Sequence, residues 1–416
     1  MNFYVQSLFI AIPSFVILIV IEIIVSRIKG INVNEHEDMI SSLSSGITNT
    51  TKDAFKVSIV LISYAWLVEN ITIYKLEPLW LAVFVAFIVQ DFTGYWMHRL
   101  NHRVNMFWNR HIIHHSSEEF NLSCALRQSI SETFKFSAIL MIPAALFGIP
   151  VKIFMILGPI HLFMQFWYHT RLIGKMGILE YIIVTPSHHR VHHAINSEYL
   201  DKNYGQILII WDKMFNTFQP ELEDVEPVYG TLRPAATWNP IIINFKHIWQ
   251  LIKDAWYAEK FVDKLKIWFM PTGWRPEDVK EKIPLKQIDD PYKQTKYKTK
   301  NSSMLVAWSW IQHIIAGAMM FHLFTVMNID SPSLLDYLYG GFLFMHVFSF
   351  TSMLDHSKYS IIAEFLKMLL GFTLLYIQGY IWFNISGIFV VGIVIYFIGS
   401  FVLTFNFYLK HKSTSL

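Results

Sequence analysis

The chain has one cysteine, Cys124, among 416 residues. No intramolecular disulfide framework can form from it, and thiolate is removed as a main metal ligand. Such usage suits a protein in, or facing, a reducing compartment. Charge is also scarce: 34 Lys and Arg stand against 31 Asp and Glu, a formal net charge of +3. No basic field for nucleic acid is present. No repeats or low-complexity tracts appear. What remains is apolar and aromatic, with the charge gathered into separate stretches, and that pattern fits a membrane protein carrying a polar insert.

The apolar stretches set the expected layout. Met1 to Ser26 is too long and too uniformly apolar for a cleaved leader, so it is expected as a retained span ending at Arg27 and Lys29. Residues 31–53 read as a polar loop. A second span is expected over about Phe55 to Tyr74, and a third over about Leu76 to Met97 that delivers His98 at its exit. Residues 134–168 are apolar but broken by Pro143, Gly148, Pro150, Gly158 and Pro159, which suits a membrane hairpin. Four further apolar stretches follow residue 303, giving about seven full spans in all. Their lysines predict an inside C-terminus, with the central polar region in the cytoplasm. The expected division is 1–90 N-terminal spans, 91–275 a catalytic domain with the hairpin, 276–302 a charged linker without periodicity, and 303–416 C-terminal spans.

Within the polar region, Ile242, Phe245, Trp249, Ile252 and Trp256 recur at helical intervals with Lys246, Lys253 and Asp254 between them. Such a helix either lies in the membrane interface or packs on the catalytic domain.

The histidines carry the chemistry. His98 and His102 lie one helical turn apart; His111, His114 and His115 are expected to repeat that arrangement two turns later. A second cluster follows in SHHRVHH: His188, His189, His192 and His193. Crowded neutral imidazoles make poor core, because each ring carries a donor and an acceptor that must be satisfied. Metal ions would satisfy them. Eight or more nitrogens exceed the needs of one ion with open positions, so two metals fit better than one. Zinc would favour hydrolysis and iron oxygen activation; a site served by many spans suggests long alkyl chains, whose C–H bonds need an oxidant.

The three boxes His98-x3-His102, His111-x2-His114-His115 and His189-x2-His192-His193 resemble those of the fatty acid hydroxylase superfamily, also called the sterol desaturase family, of membrane di-iron enzymes. HHSSEEFNLSCALRQS, QFWYHT, the run from Thr185 to Phe218 and PTGW are similar to the alkylglycerol monooxygenase branch. The similarity covers about Asp91 to Trp274. It implies an all-α polytopic membrane bundle with a cytoplasm-facing, histidine-rich di-metal domain. The reaction it implies is O2-dependent hydroxylation of a lipid alkyl chain, at the ether-linked carbon of an alkylglycerol, releasing a fatty aldehyde. Two iron ions, O2 and an external electron donor, tetrahydrobiopterin or another reductant, come with it.

Carried over box by box, the ligands it implies are His98, His102, His111, His114, His115, His189, His192 and His193, with His169 and His188 as further candidates. Asp91, Glu118 and Asp212, and with them Asp201, are expected to orient imidazoles, and Arg127 to pair with one of these carboxylates. Tyr95, Trp96 and Trp211 are expected to pack around the site. His161, His247, His313, His322, His346 and His356 show no ligand spacing and read as structural. Asn216 stands where relatives commonly carry glycine, and asparagine tolerates the left-handed turn. Hydroxylation of sterols, fatty acyl chains or another lipid remains an alternative, as does a metal transporter.

Overall fold

The computed structural model describes residues 3–414. The first helix, α1 (Phe3–Lys29), is mostly apolar and closes with Arg27 and Lys29, cations placed where the helix dipole and a membrane boundary both favour them.

The expected polar loop is instead a helix, α2 (His36–Ala54). Most of its buried polar side chains find partners: Ser45 Oγ donates to Gln128 O, Asn49 and Lys52 donate to Ser129 O, and Thr48 and Thr51 bond back to their own helix. Small side chains allow the close approach. One end of α2 meets Trp310 through His36, its middle meets His313 through Ser44, and Phe55, just past its end, stacks on Tyr337. Residues 310 and 337 stand near the matching ends of two antiparallel helices described below. A polar helix enclosed in protein therefore runs the length of the bundle.

The span expected over residues 55–74 is absent. In its place stand a two-residue strand, β1 (Ile59–Val60), and an eight-residue helix, α3 (Tyr64–Ile71), too short to cross. Ser63 caps α3 at Trp66 N, and Asn70 and Thr72 turn their side chains back onto its carbonyls. Next, α4 (Leu79–Arg103) brings His98 and His102 to its last two turns. The helix stops at Val104, and two short pieces follow, α5 (Asn105–Trp108) and α6 (Ile112–His115). The second histidine box thus does not continue the first helix, as its spacing suggested. Asn105 explains the break: its side chain donates to Ile267 O and Trp274 O, and the backbone N–H groups of Asn105 and Met106 go to Met270 O and Trp268 O.

Strand β2 (Phe134–Lys135) pairs with β1 in parallel. The apolar stretch beyond it breaks at Gly148–Pro150 into α7 (Ile142–Leu146) and α8 (Val151–Phe166). Then come α9 (Pro186–His193), α10 (Ile210–Met214), α11 (Pro240–Tyr257), α12 (Phe261–Lys266) and α13 (Glu277–Lys282). The charged linker has no long helix, but it is tied down: Lys296 pairs with Glu119, Tyr297 OH donates to Asp355, and Thr299 Oγ1 accepts from Trp238.

The C-terminal bundle is α14 (Ser303–Val326), α15 (Leu334–Leu354), α16 (Tyr359–Ile377) and α17 (Ile388–Thr414). Tyr339, Phe342, Val347, Leu374 and Phe397 form its core. Gly340 and Gly371 admit the rings of Phe55 and Phe397, which a Cβ would strike. Among the described residues six helices are long and apolar enough to cross a membrane: α1, α4 and α14–α17. The fold is a polytopic all-helical bundle, with six such helices and the enclosed α2 in place of about seven apolar spans.

Candidate metal centre

Four separate pieces of chain deliver nine imidazoles to one volume. His98 and His102 come from α4, and His111, His114 and His115 from α6 and the residue before it. His169 follows α8, and His189, His192 and His193 lie on α9. They form two groups, His98, His102, His111, His115 and His192 in one and His114, His169, His189 and His193 in the other. Within each group the ligand nitrogens lie within 4.8 Å of one another.

In the four-membered group the Nε2 atoms close a ring: His114 to His169 at 3.2 Å, His169 to His189 at 2.8 Å, His189 to His193 at 3.0 Å and His193 to His114 at 3.1 Å. Hydrogen bonding cannot account for that ring. An imidazole nitrogen carries one proton or one lone pair, so even with the two alternating round the ring two protons would have to serve four contacts. In the larger group His98 Nε2 is 2.9 Å from His111 Nε2, while His115 Nε2 lies 3.1 Å from those of both His102 and His192. A cation at the centre of each group resolves the conflict, and neutral imidazole is the donor it needs. Burial, with neighbouring imidazoles adding to it, holds His111, His115, His189 and His193 well below the usual histidine range, and burial pushes His114 down to about 3. Their lone pairs are free at neutral pH.

Two backbone carbonyls aim the larger group. His98 Nδ1 donates to Tyr204 O at 2.8 Å and His192 Nδ1 to Lys202 O at 2.9 Å, which leaves both Nε2 lone pairs pointing inward. In the smaller group, Nδ1 of His114, His169 and His189 is buried without a hydrogen-bond partner.

The carboxylates act one step further out than their spacing suggested. Asp91 accepts from Ile207 N, Leu208 N and Trp211 Nε1; Asp212 accepts from Tyr204 N, Gly205 N and Thr217 Oγ1. Both hold the loop that carries the two carbonyls rather than an imidazole. Glu118 accepts from Tyr297 N and borders a polar cavity of about 180 Å³ with Asp38, Glu119, Arg127 and Lys296. Asp201 is the carboxylate that does face an imidazole, with Oδ1 3.9 Å from His102 Nδ1. Arg127 pairs with Asp38 at 2.5 Å and with Ser116, not with the expected carboxylates. Trp96 packs on Phe92 and Phe215 beside Tyr95.

His188 lies outside both groups. It is the third residue of α9, where a side chain can reach back to the exposed helix start. Its Nδ1 accepts from Thr185 N at 3.4 Å, and its Nε2 faces Glu180 at 4.0 Å. His169, by contrast, completes the four-membered group. Sequence reasoning missed the Tyr204 and Lys202 carbonyls, since every residue has one; the run from Thr185 to Phe218 was their only signal. Asn216 has φ +57°, the left-handed turn expected there.

Beside the larger group opens a cavity of about 310 Å³, walled by His102, His115, His192 and His193 and by Trp108, Leu200, Leu232 and Gly273. It places largely apolar space against the imidazoles.

Comparison with known proteins agrees with this geometry. Residues 83–217 match the fatty acid hydroxylase family, a segment that contains all nine converging histidines. The chain is 36% identical to human alkylglycerol monooxygenase over 379 residues, covering 89% of this chain and 82% of that protein. The chain belongs to the fatty acid hydroxylase family. The alkylglycerol monooxygenase of Xenopus tropicalis is 33% identical, covering 88% of this chain and 80% of its own length. An ornithine lipid hydroxylase of Rhizobium tropici is 30% identical over 141 residues, 34% of this chain and 43% of that one. No solved structure matches. Membership makes the chain an oxidoreductase, and it makes the histidine centre, rather than the C-terminal bundle, the part shared across the family.

Proposed function

We propose that this chain is a di-iron monooxygenase that hydroxylates the ether-linked carbon of an alkylglycerol, with its active centre on the cytoplasmic side of the membrane. The observation that carries the reading is the pair of imidazole groups whose Nε2 atoms cannot satisfy one another. In this reading His98, His102, His111, His115 and His192 hold one iron, and His114, His169, His189 and His193 the other. Bound iron supplies the activation of O2 by two electrons from an external donor, tetrahydrobiopterin or another reductant.

The chain's own residues supply the rest. Leu200, Leu232 and Trp108 offer an apolar wall to the alkyl chain and exclude water from it. The carbonyls of Tyr204 and Lys202 keep His98 and His192 in one tautomer, and Asp91 and Asp212 keep those carbonyls in place. Insertion of one oxygen atom into the C–H bond beside the ether oxygen gives a hemiacetal; the other oxygen leaves as water with two protons and two electrons. The hemiacetal breaks its second C–O bond, its hydroxyl proton passes to the departing glycerol oxygen, and a fatty aldehyde remains.

The side assignment rests on charge. Arg27, Lys29, Arg103, Lys358 and Lys412 lie at the ends of membrane helices that the histidine centre shares, whereas residues 328–333 and 378–387 at the opposite ends carry no Lys or Arg. Similarity to the ornithine lipid hydroxylase supports a second reading, hydroxylation of another lipid on the same centre.

Iron-loaded protein given reductant, 18O2 and an alkylglycerol should release fatty aldehyde that carries the label when trapped before exchange with water. Oxygen consumption without aldehyde would move the substrate to another lipid, and a lipid extract screened for added hydroxyl groups would identify it.

A further inference from the structure

The pair α11 and α12 has two faces of opposite character. Ile243, Leu251 and Asp254 are buried against the catalytic domain, and Asp254 is locked to Arg275 by two 2.7 Å contacts. The other face carries Phe245, Trp249 and Trp256, continued by Phe261, Leu265 and Phe269 beyond the turn, all exposed; Trp256 is 79% and Phe269 70% accessible. Trp and Phe rings in a row are costly to hold in water: at about 25 cal/mol per Å² of apolar area, each such ring forgoes on burial energy comparable with that of a core side chain.

Both ends of this pair are fastened to the ends of membrane helices. At the start, Asn239 Nδ2 donates to Phe348 O and Ser352 Oγ, in the last two turns of α15, and Trp238 N donates to Asp355 beside them. At the finish, Ile267 O, Trp268 O and Met270 O accept from Asn105 and Met106, immediately past the end of α4. A rigid aromatic face pinned between the same-side ends of two spans lies at the level where those spans leave the bilayer. Lys253 sits over the Trp249 ring at 5.7 Å and Lys264 Nζ bonds Trp256 O, so cations flank the aromatic row where lipid phosphates would stand.

We propose that α11 and α12 form an interfacial docking face that seats the catalytic domain on the lipid leaflet its spans already cross, with the aromatic row in the acyl boundary and the lysines among anionic headgroups. Thr272 and Gly273, three and four residues beyond Phe269, line the cavity beside the histidines, so docking brings that cavity's rim to the lipid. The docking claim stands whatever lipid the centre oxidises.

The test is depth. Cys124 is buried and can remain, so single nitroxide labels can be placed by Phe245→Cys, Trp256→Cys and Phe269→Cys, with Lys280→Cys on α13 as the water-exposed comparison. In nanodiscs containing phosphatidylglycerol, the ratio of collisions with dissolved oxygen to collisions with a nickel chelate should be several-fold higher at the first three sites than at residue 280. Equal chelate access at all four overturns the proposal. So does loss of access to both relaxers at the aromatic sites, the sign of a second copy or another protein on this face. The unaltered chain gives a second reading independent of any label: a lipid-borne diazirine should leave adducts within residues 242–269, and adducts confined to the six long apolar helices would count against docking.

Discussion

Two of this molecule's clusters of buried polar side chains meet the cost of burial in opposite ways. In the C-terminal bundle, Glu364 pairs with Lys367 at 2.5 Å and accepts from Ser349 and Ser400. Lys367 reaches His346 Nδ1, His346 Nε2 donates to Gln312 O, and Tyr396 OH donates to Gln312 Oε1. Each charge has a counter-charge and each ring a partner. At the histidine centre the Nε2 contacts outnumber the protons that could bridge them, and three Nδ1 atoms have no partner within hydrogen-bond distance. The first cluster is complete as protein; the second is complete only with something added. Burial alone marks neither as functional, whereas the failure of internal satisfaction marks the second.

The largest break in that comparison comes from His114→Ala. Removing one corner of the four-membered group should take lipid oxidation to background and lower bound metal, while leaving the helical circular dichroism intact. His346→Ala, in the self-satisfied cluster, should keep metal and oxidation. Metal analysis beside turnover reads both, and a His114→Ala protein with full activity would undo the ligand assignment. The same centre predicts an acid response in metal-free protein. His114 titrates at about 3 in the fold against about 6.5 when unfolded, so between those values the unfolded chain holds the extra proton. Its contribution opposes folding increasingly as pH falls from 6.5 toward 3, and it vanishes above 6.5. Acid titration of metal-free protein followed by near-ultraviolet dichroism should show this loss, and bound metal should move it to lower pH.

Lys367→Met tests the other cluster. It strands the Glu364 carboxylate in a bundle where removing one partner of a buried pair costs about 3–5 kcal/mol. Unfolding in detergent should show a loss of that order, and adding Glu364→Gln should recover much of it. Metal content should stay at the level of the unmutated protein. A change in metal occupancy would mean that the two clusters are coupled through α2, which touches both regions.

How far the sequence revealed this arrangement depends on the range of the interactions. Three- and four-residue spacing is a local property, so the boxes on α4 and α9 were readable, as were the four C-terminal helices and Asn216 at its left-handed turn. The break at Val104 was not, because Asn105 takes its partners from residues 267–274. Nor was α2: a run of Ser and Thr reads as loop unless the chain at 127–129 and the bundle are there to receive it. His188 and His169, equal candidates by sequence, part company for a similar reason. Sitting within the box made His188 look like a ligand, yet its place at the start of α9 turns it toward Thr185, while His169, alone in sequence, is carried in by the end of α8.

The smallest expected effect divides the histidine centre itself. The larger group leans on residues 202–204 through His98 and His192, and Asp212 holds that loop with Tyr204 N and Gly205 N, each at 2.7 Å. Asp212→Asn keeps the shape but turns an amide NH2 toward a backbone donor, so one of the two bonds is lost and the Tyr204 carbonyl is free to tilt. Changes to groups that orient ligands typically cost about 10–100-fold in metal affinity. The smaller group takes no support from residues 202–204, and the Nδ1 atoms of His114, His169 and His189 make no bond of ordinary hydrogen-bond geometry among the described residues. A stepwise metal titration should therefore show one of two binding steps weakened and the other unchanged. If both weaken together, the loop is holding the whole centre rather than aiming half of it, and the distinction between a group aimed by carbonyls and a group held by packing falls.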